Sequence, residues 1–161
     1  QKLPDGRWLV LHELVCFDIG TVKFGELLKQ FLIDLQSLFR TSTKKLNLTL
    51  PQITLLSSIP IDGIDMSTLS QRIGVDNSTL TRLIDILIKN NFVRKIKNPK
   101  DGRSFIILLT VSGEKLQFKI EQQIDLFGSK IFSKIPIEDQ DEVKETLSTL
   151  HWLISKHRLN S

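Results

Sequence analysis

The residues best suited to chemistry in this sequence are the basic side chains of its central segment, residues 66–103. This segment holds eight Lys or Arg and three acidic residues, whereas the rest of the chain holds fourteen basic and fifteen acidic residues. The net charge of +4 therefore comes from the centre of the chain alone. Positive charge concentrated in this way favours the binding of a polyanion.

The predicted tip of a hairpin, residues 98–103, is the most informative part of this segment. It reads Asn-Pro-Lys-Asp-Gly-Arg, and these residue types form tight turns. A guanidinium at such a tip, that of Arg103, can enter a narrow minor groove, where DNA concentrates negative potential. Asp101 lies two residues earlier and can orient that guanidinium through a charge-assisted hydrogen bond. An ordinary solvated turn is the alternative interpretation.

Two short helices must precede this hairpin. Apolar spacing predicts a first helix over residues 67–73, and Gly74 suits the left-handed position that ends a helix. Residues 76–78, Asp-Asn-Ser, can cap a second helix that ends near Asn91, and two such helices form a helix-turn-helix. The second helix would present hydroxyl side chains and Arg82 near its N-terminus, where a major groove and phosphate are favoured. Capping of a surface helix is the alternative role for those hydroxyls.

Two strands and a further helix follow. Residues 92–97 and 105–109 have the residue types of strands, and Thr110 can cap the helix after them. A helix-turn-helix that is followed at once by a basic hairpin is a winged helix.

Long amphipathic helices are predicted on both sides of this centre. Apolar residues recur every three or four positions over residues 24–39, 116–131 and 143–154, and Pro136 separates the last two stretches. Such helices find too little partner surface within one small domain. We therefore expect two chains to pair through them, with a closed monomeric bundle as the alternative.

No arrangement of residues points to catalysis. His12, His151 and His157 belong to no nucleophile or zinc motif, and the sequence has no Gly-rich phosphate loop. We expect no enzymatic activity, no metal and no cofactor. The single cysteine, Cys16, cannot form an intrachain disulfide, which fits a cytoplasmic protein. No apolar run is long enough for a membrane span, so no membrane partner is expected.

Cys16 allows three interpretations, of which a buried structural residue is the simplest. Residues 8–17 are apolar and predict a short helix, on which His12 and Cys16 would share a face and could ligate a metal. A peroxide-sensing thiol is the third possibility. Such a thiol needs a neighbouring group that lowers its pKa, and the sequence offers only His12.

The central residues resemble the MarR family of winged-helix regulators over residues 48–116. The similar segments are Leu48-Thr49 with Pro51-Gln52-Ile53, residues 69–75, residues 78–83, residues 92–95, Asp101-Gly102-Arg103, and Leu109-Thr110 with Gly113. Asn91 stands where a glycine is usual in the family, and asparagine can adopt the same backbone geometry.

The resemblance implies a mainly α protein with a small β-wing. A winged helix-turn-helix, residues 48–110, would be flanked by dimerisation helices in residues 1–47 and 111–161. The implied function is a sequence-specific transcriptional regulator, in particular a ligand-responsive repressor, that binds a pseudo-palindromic double-stranded DNA operator as a homodimer. A small-molecule effector would bind between the dimer helices and the DNA reader.

The predicted DNA contacts lie on both helices and on the wing. They are Ser67, Asn77, Ser78, Thr79, Thr81, Arg82, Arg94, Lys95, Lys97, Lys100 and Arg103, with Asp101 as the wing-orienting residue. Two other functions are alternatives: a winged helix that binds another protein rather than DNA, and a thiol-based redox regulator that acts through Cys16.

Overall fold

The computed structural model describes residues 10–12, 15–17, 22–99 and 101–159, which form six α-helices and five short strands. The helices are α1 (Phe24–Ser42), α2 (Leu50–Ser58), α3 (Met66–Ile73), α4 (Asn77–Lys89), α5 (Val111–Phe132) and α6 (Gln140–Leu159). The strands are β1 (Val10–His12), β2 (Val15–Phe17), β3 (Ile64–Asp65), β4 (Val93–Lys97) and β5 (Phe105–Leu109). The predicted class, mainly α with a small β-wing, is confirmed.

The chain divides into two compact units, residues 1–50 and 51–161. In the first unit β1 and β2 are antiparallel, with Leu11 paired to Cys16 and His12 paired to Val15. The predicted helix over residues 8–17 is therefore wrong, because a short apolar run fits a strand as well as a helix. The helix face that His12 and Cys16 were expected to share does not exist.

The long helix α1 also belongs to the first unit and agrees with the predicted amphipathic stretch. None of its residues is fully buried. Phe31 and Leu32 are 46% and 55% exposed, although large apolar side chains favour burial. This helix therefore keeps an apolar surface that the chain itself leaves partly uncovered.

In the second unit, α3 and α4 form the predicted helix-turn-helix. Asp65 and Asp76 are the N-cap residues of the two helices, since each carboxylate accepts a hydrogen bond from a backbone N–H three residues later. Gly74 ends α3 with a φ of 71°, the left-handed geometry expected from the sequence. Asn91, just after α4, has a φ of 57°, so it takes the conformation predicted for it.

The wing is an antiparallel sheet of order β3-β5-β4. Lys97 pairs with Phe105 and Val93 with Leu109, so each strand has the predicted extent to within one residue. The inner end of the hairpin is apolar, because Val93 and Leu109 are buried against the helices. Its outer end projects from this core and carries the turn.

A tight junction joins the inner end of the wing to α5. Thr110 is the N-cap of α5 and accepts a hydrogen bond from the Gly113 N–H (3.0 Å). The Thr110 N–H donates to the Phe92 carbonyl (3.0 Å), and its hydroxyl donates to the Asn91 carbonyl (2.6 Å). A Cβ atom on Gly113 would lie 1.9 Å from the Phe92 carbonyl oxygen. Only glycine permits this approach of the helix to the strand.

The carboxyl end of α2 is held by side chains of two other helices. The Gln117 amide of α5 donates to the carbonyls of Leu56 (2.7 Å) and Ile59 (2.9 Å). The Arg72 guanidinium, at the end of α3, donates to the Ser58 carbonyl (2.8 Å). These bonds satisfy carbonyls that the end of a helix leaves without an intrahelical partner, and they tie α2 to both neighbours.

The core of the second unit lies between these helices and the sheet. Its buried apolar side chains are Ile53, Leu55, Leu56, Ile59, Ile64, Leu69, Leu80, Ile84, Leu87, Val93, Ile107, Leu109 and Ile120. Beyond Pro136 the chain turns into α6, as predicted. On α6, Leu147, Trp152, Leu153 and Ile154 are each at least half exposed.

Candidate nucleic-acid interface

The N-terminal turn of α4 is organised around the Asp76 carboxylate. The Thr79 N–H donates to Asp76 Oδ1 (2.9 Å), and the Thr79 hydroxyl donates to Oδ2 (2.7 Å). The Ser78 hydroxyl donates to Oδ1 as well. These donors lower the pKa of Asp76, and the Ser78 hydroxyl has the largest effect. The carboxylate therefore stays charged, and the two hydroxyl protons are used within the helix.

The same arrangement occurs one helix earlier. The Asp65 carboxylate accepts from the Thr68 N–H (2.8 Å) and from the Thr68 hydroxyl (2.6 Å). These bonds lower the pKa of Asp65, with the Thr68 hydroxyl first among the causes. Both helices of the helix-turn-helix, α3 and α4, thus begin with the pattern Asp-x-x-Thr, in which the aspartate is the N-cap residue. The spacing of Asp65 and Thr68 is the sequence signal that would have identified the true start of α3, one residue before the predicted one.

Both carboxylates affect how an anion could approach. The N-terminus of α4 was expected to favour phosphate, because the N–H groups and the helix dipole attract negative charge there. The Asp76 carboxylate already occupies that position. The carboxylate offsets part of the attraction that this helix end could offer a phosphate, so we expect positive side chains elsewhere to supply most of it.

The exposed basic side chains that can do so surround the helix and the wing. Arg82 lies on the exposed side of α4, and Arg94 and Lys97 are exposed along β4. The Lys95 ammonium lies 4.2 Å from the centre of the Phe105 ring, so a cation–π contact holds it against the wing.

The tip of the wing is ordered by its own hydrogen bonds. Asp101 Oδ1 accepts from the backbone N–H of Arg103 (3.0 Å), and the Asp101 carbonyl accepts from the Ser104 N–H (2.9 Å). Asn98 closes the turn by donating its N–H to the Ser104 carbonyl (3.0 Å). Among the described residues, the Asp101 carboxylate forms no ion pair with the Arg103 guanidinium. Asp101 shapes the backbone that carries Arg103, and the exposed guanidinium is free to reach a ligand.

The structure places the predicted contact residues on the two helices and the wing of the second unit. Ser67 is exposed on the first turn of α3, and Asn77, Ser78 and Thr81 are exposed along α4. Thr79 is half-buried because its side chain turns towards Asp76. Lys100 lies outside the described residues. Within the described ranges there is no cluster of three or more potential metal ligands, and no helix has the length and apolarity that a membrane span requires.

Sequence comparison relates the central segment of the chain to known proteins. The model of the MarR family matches residues 48–105, the segment that carries α3, α4 and most of the wing. The HTH-type transcriptional regulator YfiV of Bacillus subtilis is 27% identical over 107 residues, which cover 66% of this chain and 67% of YfiV. Over this central segment the chain is similar to the MarR family. The multiple antibiotic resistance protein MarR of Escherichia coli is 28% identical over 112 residues, 69% of this chain and 74% of that protein.

Comparison of structures gives the same fold. A MarR transcriptional regulator from Methanosarcina mazei has a TM-score of 0.70 and 21% identity, covering 82% of this chain and 96% of that structure. The predicted winged helix is thereby confirmed. The relatives found by sequence, YfiV and the Escherichia coli MarR protein among them, are named as regulators or as a resistance protein.

Proposed function

We propose that the protein is a sequence-specific double-stranded DNA-binding regulator that acts as a homodimer, in particular as a repressor. The observation that carries the proposal is the juxtaposition of an exposed, polar α4 with an ordered basic wing in one compact unit. In each chain α4 would enter a major groove while the Arg103 guanidinium enters the flanking minor groove. Two chains would then recognise half-sites about one helical turn apart.

Pairing of two chains is supported by the exposed apolar surface of the helices outside the reader. In α1, Phe24, Phe31 and Leu32 are exposed, and in α6 Trp152 and Leu153 are exposed. Large exposed apolar surfaces on a protein commonly mark an interface. A second copy of the chain is the occupant that we propose, and sedimentation at micromolar concentration should give a dimer.

The DNA contacts are tested by titration of fluorescent duplexes over a series of salt concentrations. The duplex from upstream of the protein's own gene is compared with a scrambled duplex. We expect tighter binding to the first duplex and a steep fall in affinity as salt increases, because bound phosphates release counterions. Equal, weak binding to both duplexes would favour the alternative of a winged helix that binds another protein.

The wing is tested by Arg103→Ala. Loss of a guanidinium from the minor groove should weaken operator binding by about 1–3 kcal/mol at constant salt. Lys134→Ala is the matched control, because it removes the same charge beyond the far end of α5, roughly 33 Å from the start of that helix. An Arg103→Ala protein that binds as tightly as the Lys134→Ala protein would remove the wing from the proposed interface.

A small-molecule effector is part of the proposal, because the family resemblance implies one. An effector that prefers one spacing of the two readers would shift the affinity for DNA by its differential binding. A ligand screen read out by operator affinity tests this point. The redox alternative would act through Cys16, which lies in β2.

A further inference from the structure

We propose that Asp76 is a specificity-determining positioning residue, which fixes the Ser78 and Thr79 hydroxyls as hydrogen-bond acceptors and so makes α4 select adenine or cytosine at the bases they contact. The inference rests on the proposed function, since it assumes that α4 lies in the major groove. It adds which role, hydrogen-bond donor or acceptor, the hydroxyls of α4 take towards the bases.

The argument begins with the directions of the hydrogen bonds. A serine or threonine hydroxyl has one proton and two lone pairs, so it can ordinarily donate to a base or accept from one. Here the Ser78 proton is donated to Asp76 Oδ1, and the Thr79 proton to Asp76 Oδ2 at 2.7 Å. What each hydroxyl retains for an outside partner is its lone pairs.

Competition between acceptors keeps both hydroxyl hydrogen bonds directed at the Asp76 carboxylate. Hydrogen bonds to an ionised carboxylate are roughly twice as strong as those between neutral groups, and the alternative acceptors on base edges are neutral. The donors also hold the pKa of Asp76 below its ordinary value, so the carboxylate is charged at neutral pH. Turning a hydroxyl towards a guanine or thymine oxygen would exchange a charge-assisted bond for a weaker one.

The major-groove edges of the bases then decide the preference. Adenine offers its N6 amino group and cytosine its N4 amino group as donors, whereas guanine and thymine offer acceptors at O6, N7 and O4. A hydroxyl that can only accept can form a hydrogen bond with the amino group of adenine or cytosine. At guanine or thymine the lone pairs of the hydroxyl would face the lone pairs of the base, and no hydrogen bond would form.

Thr81 provides an internal comparison on the same helix. Its hydroxyl donates to the Asn77 carbonyl (2.8 Å), so it also faces outward as an acceptor. Its role as an acceptor is set by its hydrogen bond to the backbone and is independent of Asp76. A change at Asp76 should therefore leave the base read by Thr81 unaltered.

The experiment is selection of bound sequences from a randomised operator library by the wild-type protein, Asp76→Asn and Asp65→Asn. Asparagine caps a helix about as well as aspartate, so Asp76→Asn should keep the fold, which circular dichroism and thermal melting check. Its amide cannot accept both hydroxyl protons in addition to the Thr79 N–H. At least one hydroxyl becomes able to donate, and discrimination against guanine and thymine should fall roughly two- to tenfold at that position.

Asp65→Asn is the matched control, because Asp65 caps α3 with the same Asp-x-x-Thr geometry and the substitution removes the same charge. It should raise affinity for every duplex at low salt without changing the base preference. Ser78→Ala and Thr79→Val delete the accepting oxygens and identify the positions that the two hydroxyls read. The positions relaxed by Asp76→Asn must coincide with these.

Four outcomes overturn the inference. Asp76→Asn with the wild-type preference at every position would do so, and so would equal changes from Asp76→Asn and Asp65→Asn. Wild-type selection of guanine or thymine at the positions sensitive to Ser78→Ala and Thr79→Val is the third, and it needs no variant at Asp76. Failure of the wild-type protein to enrich any sequence would remove the proposed function itself, and the inference with it.

Discussion

Substitution of Gly113 by alanine tests the junction between the wing and α5. The added Cβ would lie 1.9 Å from the Phe92 carbonyl oxygen, 2.9 Å from its carbonyl carbon and 3.2 Å from Leu109 Cδ2. Since protein Cβ contacts below 3.0 Å are essentially not observed, the start of α5 must retreat by about 1 Å from the strand. The neighbouring backbone cannot rotate away as a flexible side chain would.

The magnitude follows from what that retreat disturbs. The hydrogen bond from the Thr110 N–H to the Phe92 carbonyl, at 3.0 Å, would stretch or break, at a cost of about 0.5–1.5 kcal/mol. Overpacking of the surrounding core adds about 1–3 kcal/mol. Alanine recovers about 0.5–1 kcal/mol as the better helix former. We expect a net loss of about 0.5–4 kcal/mol in the free energy of unfolding, centred at about 2 kcal/mol.

Chemical denaturation at one fixed protein concentration measures this loss, since a dimer's stability depends on concentration. Gly128→Ala and Gly25→Ala are the matched controls, because a Cβ at either helical position meets nothing within 4 Å. Both should be neutral or stabilising by up to about 1 kcal/mol. Gly113→Ala with the stability of these controls would refute the claim that the close approach to Phe92 requires glycine.

Two further predictions concern the backbone and the caps. Asn91→Ala should lower stability by about 1–2 kcal/mol, because alanine lacks the short polar side chain that lets asparagine tolerate the left-handed φ of 57°. Asn91→Gly should be close to neutral, and equal unfolding midpoints of the two variants would contradict this explanation. The lowered pKa values of Asp65 and Asp76 contribute stability that is present above the ordinary value of 3.8 and is lost as the pH falls below it towards the lowered values. Thermal melting at pH 6 and pH 3 should therefore show a smaller acid-induced decrease for the Asp65→Asn, Asp76→Asn double variant than for the wild-type protein.

Local signals in the sequence were sufficient for most elements of the second unit. Gly74, Asn91 and Thr110 each have a residue-specific reason to stand at the end or start of a helix, and each does so in the structure. The residues of β1 and β2 lack such a signal. Runs of three residues, 10–12 and 15–17, are too short to distinguish the period of a strand from that of a helix, and the antiparallel pairing of the two runs decides for strands.

The details of the candidate site were less predictable for a different reason. A hydroxyl can donate or accept, so the residue types at Ser78 and Thr79 do not reveal that both hydroxyls donate hydrogen bonds to Asp76. Asp101 was expected to act on the Arg103 guanidinium and instead accepts from its backbone N–H. The requirement for glycine at position 113 depends on Phe92, twenty-one residues earlier, and only the folded chain brings the two together.

The attachment of α5 has a mechanical consequence. Its first turn is fastened to the wing through Thr110, and Gln117 in its second turn is fastened to the end of α2. The turns beyond the buried Ile120 extend past both attachments, which makes the helix a lever roughly 33 Å long with the helix-turn-helix and the wing fixed to its N-terminal end. A displacement of about 3 Å at the Phe132 end would turn the wing and the helix-turn-helix together by roughly 5°. Force applied at the Phe132 end would rotate the helix-turn-helix and the wing as one body and leave the geometry within them intact.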